Sequence, residues 1–421
     1  MNILYEMNTF NNLLQNICES KDVSLKYTYI YNPSCDIDCI SIAFGVGSRN
    51  EIICKDKQGI SHFLEHMVFN GSANYTKDEI NEKTSFMGGH INAATSNLYT
   101  NYYCSCIKDY TEDAIKILLD IVFKPTLSKE HTEKERSIIL KEYDQCYDDE
   151  NKIVFYNMMK NSCDDALCMI PLGTKEGINS ITHEDLAEYH KKFYTLNNSH
   201  MVISTSKPRE EIDRILRNVI LDLELESYVH FVPGKSINHE HKFNQKETVF
   251  SKSGKTQSIL LAYNVVERQD VLYAECFSNI LSNGLGARLT KKLREEKQLC
   301  YQCGSYVTTY GNKYLLCSMI KYSDGSKTKE IIDDIHSIYT SALDTITDYE
   351  LQTAKNALLG SLASTKHSIY YPSHRAVEIV TEDVIYNEED IKAITKEKIY
   401  EFINYSLVDK SDMYISRFEP K

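Results

Sequence analysis

The chain has 421 residues, 42% of them apolar and 25% charged, with 60 acidic against 47 basic side chains and a net charge of −13. That length and composition fit a soluble globular protein of two or three domains. The acidic balance argues against nucleic acid or an anionic membrane as a main partner, and no apolar run reaches the roughly 18 residues that a membrane span needs.

Met1 to Ser20 has no basic cluster and no long apolar core, so neither a signal nor a transit peptide is expected and the default location is the cytoplasm. The 13 cysteines are odd in number and irregularly spaced. They read as free thiols of a reducing compartment rather than as a disulfide framework. Cys300-x-x-Cys303 could be a redox pair or half a metal site. No second such motif follows and the surrounding pattern is strand-like, so ordinary strand residues are the expectation there, as for Cys35/Cys39 and Cys104/Cys106.

Periodicity predicts a strand over Cys39 to Val46, a helix over Gly59 to Asn70 and strands over His90 to Thr95 and Asn101 to Ile107. Helices follow over Thr111 to Phe123 and Ser128 to Tyr147. A weakly periodic segment with Pro233-Gly234 then marks a boundary. Its His239, Glu240 and His241 could bind a metal, but adjacent side chains on an extended segment diverge, so a solvated loop is expected. The second half repeats the plan. Strands are predicted over Ser258 to Val265, Gln302 to Thr308 and Tyr314 to Lys321. Helices are predicted over Val271 to Leu281, Lys327 to Leu343 and Asp348 to Thr365. The fold class is therefore α+β: two similar α/β-sandwich domains, each a mostly antiparallel sheet with packed helices. The expected division is 1–230, a linker over 231–247, and 248–421.

His62-Phe63-Leu64-Glu65-His66 carries the chemistry. On a helix the two histidines project from one face a turn apart, a spacing that fills two positions of a zinc tetrahedron, with Glu65 between them. A third ligand is needed, and Glu142 is the candidate. Glu135 lies two turns before Glu142 on the same face. Plainer readings exist. Ile60, Phe63, Leu64, Met67 and Val68 form an apolar stripe that by itself indicates only a helix packed on a core. Thr132 and Glu135 also fit a capping box on a solvated helix. The corresponding second-half helix, with Tyr273-Ala274-Glu275-Cys276-Phe277, has no histidine pair.

Together these motifs resemble the inverzincin, or pitrilysin-type, M16 metallopeptidases. That family places a Glu ligand about 76 residues after the second His, which falls on Glu142, and an auxiliary Glu seven earlier, which falls on Glu135. Gly47 to Glu51, Gly88 to Thr95 and Pro171 to Thr174 resemble further family segments. So do Gly284 to Leu289 and Leu293 to Tyr301. Cys300 departs from the small residue usual before the Tyr, and Tyr29 to Cys39 is irregular.

The resemblance implies a LuxS/metallopeptidase-like duplication forming half of a clamshell. It implies one zinc ion per chain on His62, His66 and Glu142, with Glu65 as general base and Glu135 as auxiliary acid. Gly89, His90, Asn92 and Ala93 would lie on the strand that pairs with substrate. Arg294 and Tyr301 would reach the reacting carbonyl. The activity implied is a zinc endopeptidase for extended or unstructured peptides, acting as a homodimer or a heterodimer with a related subunit. The alternative is a non-catalytic or partner-dependent subunit that binds peptides for processing.

Overall fold

Six of the eight residues of the strand Ile37–Phe44 are hydrophobic, and all but the first residue are buried. A strand covered on both faces belongs in the middle of a sheet that carries helices on each side. The computed structural model places it there. It describes residues 4–9, 25–162, 169–225, 247–252, 257–265, 268–310, 313–342, 344–381, 385–407 and 413–420.

The chain forms two compact units. One comprises 1–143, 169–237 and 367–383; the other comprises 144–168, 238–366 and 384–421. In the first unit the strands are β1 (Leu4–Thr9), β2 (Lys26–Tyr31), β3 (Ile37–Phe44), β4 (His90–Thr95), β5 (Thr100–Ile107) and β6 (Ser199–Thr205), in the order β1-β2-β6-β3-β5-β4. Only the β2–β6 pair is parallel, with Tyr27 opposite Met201. Ile40, Ile42, Phe44 and Ile203 point into one core with the helices Ile60–Val68, Thr111–Phe123, His183–Phe193 and Arg209–Asp222. On the opposite face Ile30, Ala43 and Val202 pack against Tyr371 and Ala376 of the helix Tyr371–Thr381.

The second unit repeats this topology. Its strands β7 (Glu247–Lys252), β8 (Gln257–Val265), β9 (Gln302–Tyr310), β10 (Lys313–Tyr322) and β11 (Met413–Pro420) run in the order β7-β11-β8-β10-β9. That is the order of β2 to β6, and again only one pair, β7–β11, is parallel. Helices Val271–Ser282, Thr328–Ser341 and Lys396–Ser406 build its main core. The helix Glu150–Ser162 contacts β7, β8 and β11. The protein is thus an α+β fold of two like sheet-and-helix units.

The predicted elements lie within a few residues of those observed. The contiguous division at 230/248 differs from the observed units at two segments, 144–168 and 367–383. The reason is that each sheet takes one covering helix from the other part of the chain. The predicted linker, with His239, Glu240 and His241, lies outside the described residues, apart from Glu247, which opens β7. Among the described residues no helix is long and apolar enough to cross a membrane, and every described cysteine is a free thiol.

Candidate metal centre

The helix Ile60–Val68 is held from below by its apolar stripe: Ile60, Phe63, Leu64, Met67 and Val68 are all buried. Burying that stripe turns His62, Glu65 and His66 to the opposite side. The helix starts at Gly59, whose φ of 100° is left-handed. A carboxylate fixes the start: Glu51, fully buried, accepts from the backbone N–H of Gly59 at 2.7 Å and of Ser61 at 3.0 Å. Two otherwise orphaned helix N–H groups are thereby satisfied. Burial pushes the Glu51 carboxyl up to about 8 even against those bonds.

The second set of donors comes from the helix Lys129–Cys146. Glu142 Oε2 lies 3.4 Å from His66 Nε2 and 3.8 Å from His62 Nε2. The imidazoles are edge to face, 4.7 Å apart at 77°. Among the described residues, His62, His66 and Glu142 are the one group of ligating side chains able to share a metal ion, with donor atoms all within 4.8 Å of one another. Ligands about 2.0–2.2 Å from a tetrahedral zinc lie about 3.3–3.6 Å apart. The His66–Glu142 separation meets that spacing, and the His62–Glu142 separation lies just above it. Two imidazoles and a carboxylate are also a donor set that zinc accepts.

The electrostatics favour a cation. Burial drives the His62 imidazole down to about 4, with the His66 charge adding to the effect, so His62 is neutral at pH 7 as a ligand must be. Burial acts on His66 in the same direction. There the Glu135 and Glu142 carboxylates outweigh it and hold the ring up at about 9. The carboxylates therefore draw positive charge to this spot, and a divalent ion would take the proton's place.

Glu135 is almost fully buried and meets His66 Nδ1 at 3.4 Å through Oε2. Lys77 Nζ lies 3.7 Å from its other oxygen and 2.9 Å from Asn70 Oδ1, while Asn70 Nδ2 donates to the His66 carbonyl at 3.1 Å. Burial works to raise the Glu135 carboxyl, but His66, Asn70 and Lys77 together hold it below its ordinary value. A histidine whose far nitrogen is bound in this way keeps its ring orientation. Glu65 is fixed by Thr95, the last residue of β4. Burial raises the Glu65 carboxyl, and the bond from Thr95 Oγ1 opposes that rise. Lys77 and Asn70 carry no motif in the sequence, and Glu51 and Thr95 close segments that resemble the family without any role assigned to them; packing gives all four their contacts.

β4 is an edge strand, bonded to β5 alone, and His90 and Asn92 are exposed on it while Ala93 is half-buried. Gly89 has a packing role: a Cβ there would meet the Ser105 carbonyl oxygen at 2.2 Å. Arg294 and Tyr301 belong to the other unit. Arg294 is exposed on a wide helical turn over Thr290–Glu296, and Tyr301 is 48% exposed just before β9.

Known proteins resemble this chain in sequence and in fold. The family model described as Insulinase (Peptidase family M16) matches residues 27–172, and that described as Peptidase M16 inactive domain matches 180–358. The chain is 26% identical over 398 residues to the uncharacterized zinc protease YmxG of Bacillus subtilis, covering 90% of this chain and 95% of that one. A probable mitochondrial-processing peptidase subunit beta of Schizosaccharomyces pombe is 30% identical over 46% of this chain and 42% of its own length. In fold it resembles a protease from Helicobacter pylori, with a TM-score of 0.85 at 17% identity and full coverage of both chains. A Pseudomonas fluorescens structure described as a peptidase M16 inactive domain gives 0.84 at 17% identity, covering 100% of this chain and 99% of that one. With two family models in tandem along its length, the chain belongs to peptidase family M16.

Proposed function

We propose that this chain is a zinc-dependent endopeptidase that cleaves extended or unstructured peptides. The observation that carries this reading is the convergence of His62, His66 and Glu142 with the half-buried Glu65 beside them. His62, His66 and Glu142 would hold one zinc ion per chain, which supplies Lewis acidity and makes water acidic near neutral pH. Glu65 accepts the proton of the attacking water and delivers it to the leaving amine nitrogen; its raised pKa suits both transfers. Glu135 keeps His66 oriented through Nδ1. An extended peptide adds to the open edge of β4 along His90, Asn92 and Ala93, with Gly89 setting the approach of that strand to β5. Tyr301 and Arg294 donate to the oxygen that gains negative charge.

The zinc protease names of relatives support this chemistry. Relatives named as processing-peptidase beta subunits support action beside a second M16 chain, identical or related, that closes a chamber around the peptide. The free thiols are consistent with a cytoplasmic location. The test measures zinc by elemental analysis and cleavage of a quenched peptide library, with and without a chelator. Zinc-loaded protein that cuts nothing, alone or with cell extract, would replace the peptidase by a peptide-binding subunit.

A further inference from the structure

We propose that Arg136 is the positioning residue that holds the two ligand-bearing helices in register; this rests on the metal-binding function proposed above. His62 and His66 come from the helix Ile60–Val68, and Glu142 from the helix Lys129–Cys146. Arg136 lies on the second of these, directly after Glu135, with its side chain only 12% exposed. Its guanidinium carbon sits 5.5 Å from the centre of the Phe63 ring. Phe63 is fully buried and directly follows His62. A cation over an aromatic face is an attractive contact, so the guanidinium joins the two helices at the apolar stripe of the first.

The same group reaches a third segment. Nη2 donates to the Ile181 carbonyl at 2.6 Å, and Nη1 donates to the Ile178 carbonyl. Both acceptors lie at the end of the helix Lys175–Ser180, where backbone carbonyls lack intrahelical donors. Glu133 steadies the guanidinium plane, accepting from Nε at 3.2 Å and from Nη2 at 3.0 Å. The short helix is in turn fixed to the residues that lead into the histidine helix. A Cβ on Gly177 would meet the Gln58 carbonyl oxygen at 2.4 Å, and Ser180 Oγ donates to the Asp56 carbonyl at 2.7 Å. Arg136 therefore grips the histidine helix twice, through the Phe63 ring and through the segment packed on its start.

A metal centre is sensitive to small errors in this register. Side-chain tips stand about 5–6 Å from a helix axis, so a rotation of about 10° displaces them by about 1 Å. Metal–ligand distances tolerate only about 0.2 Å. Glu142 is six residues beyond Arg136 on the same helix, about 9 Å along its axis. Fixing the guanidinium against two backbone carbonyls and a buried ring fixes the turn and height of that helix, and with them the place of Glu142 opposite His66. Lysine cannot substitute. Its ammonium is a single point charge on a flexible stem and cannot lie flat on Phe63 while spanning both carbonyls.

The test titrates metal-free, full-length protein with Co²⁺, whose visible absorption reports the geometry of its ligands. Wild type should bind one equivalent with a strong visible band, and His62→Ala should show none. In Arg136→Lys the affinity should fall by about tenfold to a hundredfold, the usual cost of losing support behind metal ligands, and the band should shift or weaken. A merely structural role would lower the melting temperature and leave the band of the bound ion unchanged. That outcome, or wild-type cobalt affinity in Arg136→Lys, overturns the proposal. Glu133→Ala gives the answer if Arg136→Lys does not fold. Glu133 is 61% exposed, so its loss spares the core but frees the guanidinium plane, and cobalt should bind about twofold to fivefold more weakly. Wild-type binding in Glu133→Ala would then overturn the proposal. If wild type itself shows no band, the metal site is wrong and the role of Arg136 falls with it. A wild-type band that His62→Ala abolishes and Arg136→Lys leaves untouched removes the role of Arg136 alone.

Discussion

Thr95 Oγ1 donates to Glu65 Oε2 at 2.5 Å, so the last residue of the edge strand β4 fixes the carboxylate that lies between the two histidines. That bond holds the Glu65 pKa down against burial. In Thr95→Val the pKa should rise further. A base is lost as the pH falls through its pKa, so the acid limb of kcat/KM should move to higher pH. A hydrogen bond to a charged group is worth about 1.5–3 kcal/mol, and activity at mildly acid pH should fall by about tenfold or more. Zinc content should not change. An acid limb that stays in place would show that Glu65 is not the titrating base.

Glu65→Gln removes the proton acceptor and leaves the shape. The variant should fold, keep its zinc and lose about 10²–10⁴ of kcat, the usual contribution of a positioned acid–base group. Normal turnover in this variant would end the general-base assignment.

Ligand removal should separate from that effect. His62→Ala and His66→Ala should each abolish stoichiometric zinc, measured by elemental analysis after dialysis, and Glu142→Gln should weaken it strongly. Full zinc in His62→Ala would place the metal elsewhere.

Tyr301→Phe tests the other unit. The residue is exposed, so its loss should leave thermal stability nearly unchanged. Losing one donor to the developing oxyanion should lower kcat by about 10²–10³ with zinc retained. Cleavage kinetics identical to wild type would remove Tyr301 from the reaction.

Gly173→Ala tests how the motif helix is seated. Gly173 has a φ of 71°, and an added Cβ would meet the Gln58 carbonyl oxygen at 2.4 Å and Gly59 Cα at 2.5 Å. A positive φ and a backbone clash together should cost about 2 kcal/mol or more. The melting temperature should drop, and zinc should bind more weakly because Gly59 starts the helix that carries both histidines. A melting temperature equal to wild type would show that this loop yields without disturbing the helix.

The sequence by itself determined what depends on near neighbours. The stripe from Ile60 to Val68 dictates a helix and its buried side, which leaves His62, Glu65 and His66 together on the other side. The spacing from Glu135 to Glu142 likewise sets one face of one helix. Helical and strand periods are local properties of the backbone, so they are written in consecutive residues. Tertiary structure alone decided the rest. Ser199–Thr205 has three apolar residues in seven, and its place as a central strand comes from lying parallel to β2 and antiparallel to β3, two strands far away in the chain. The helices Glu150–Ser162 and Tyr371–Thr381 show ordinary periodicity, and nothing local states which sheet each will cover. Lys77 and Asn70 are ordinary polar residues until packing sets them against Glu135 and His66, and the resemblance of Gly88 to Thr95 to a family segment does not say that Thr95 will meet Glu65. The physical reason is the same throughout. Burial and hydrogen bonding between distant segments depend on the whole chain's free energy, and no window of sequence contains both partners.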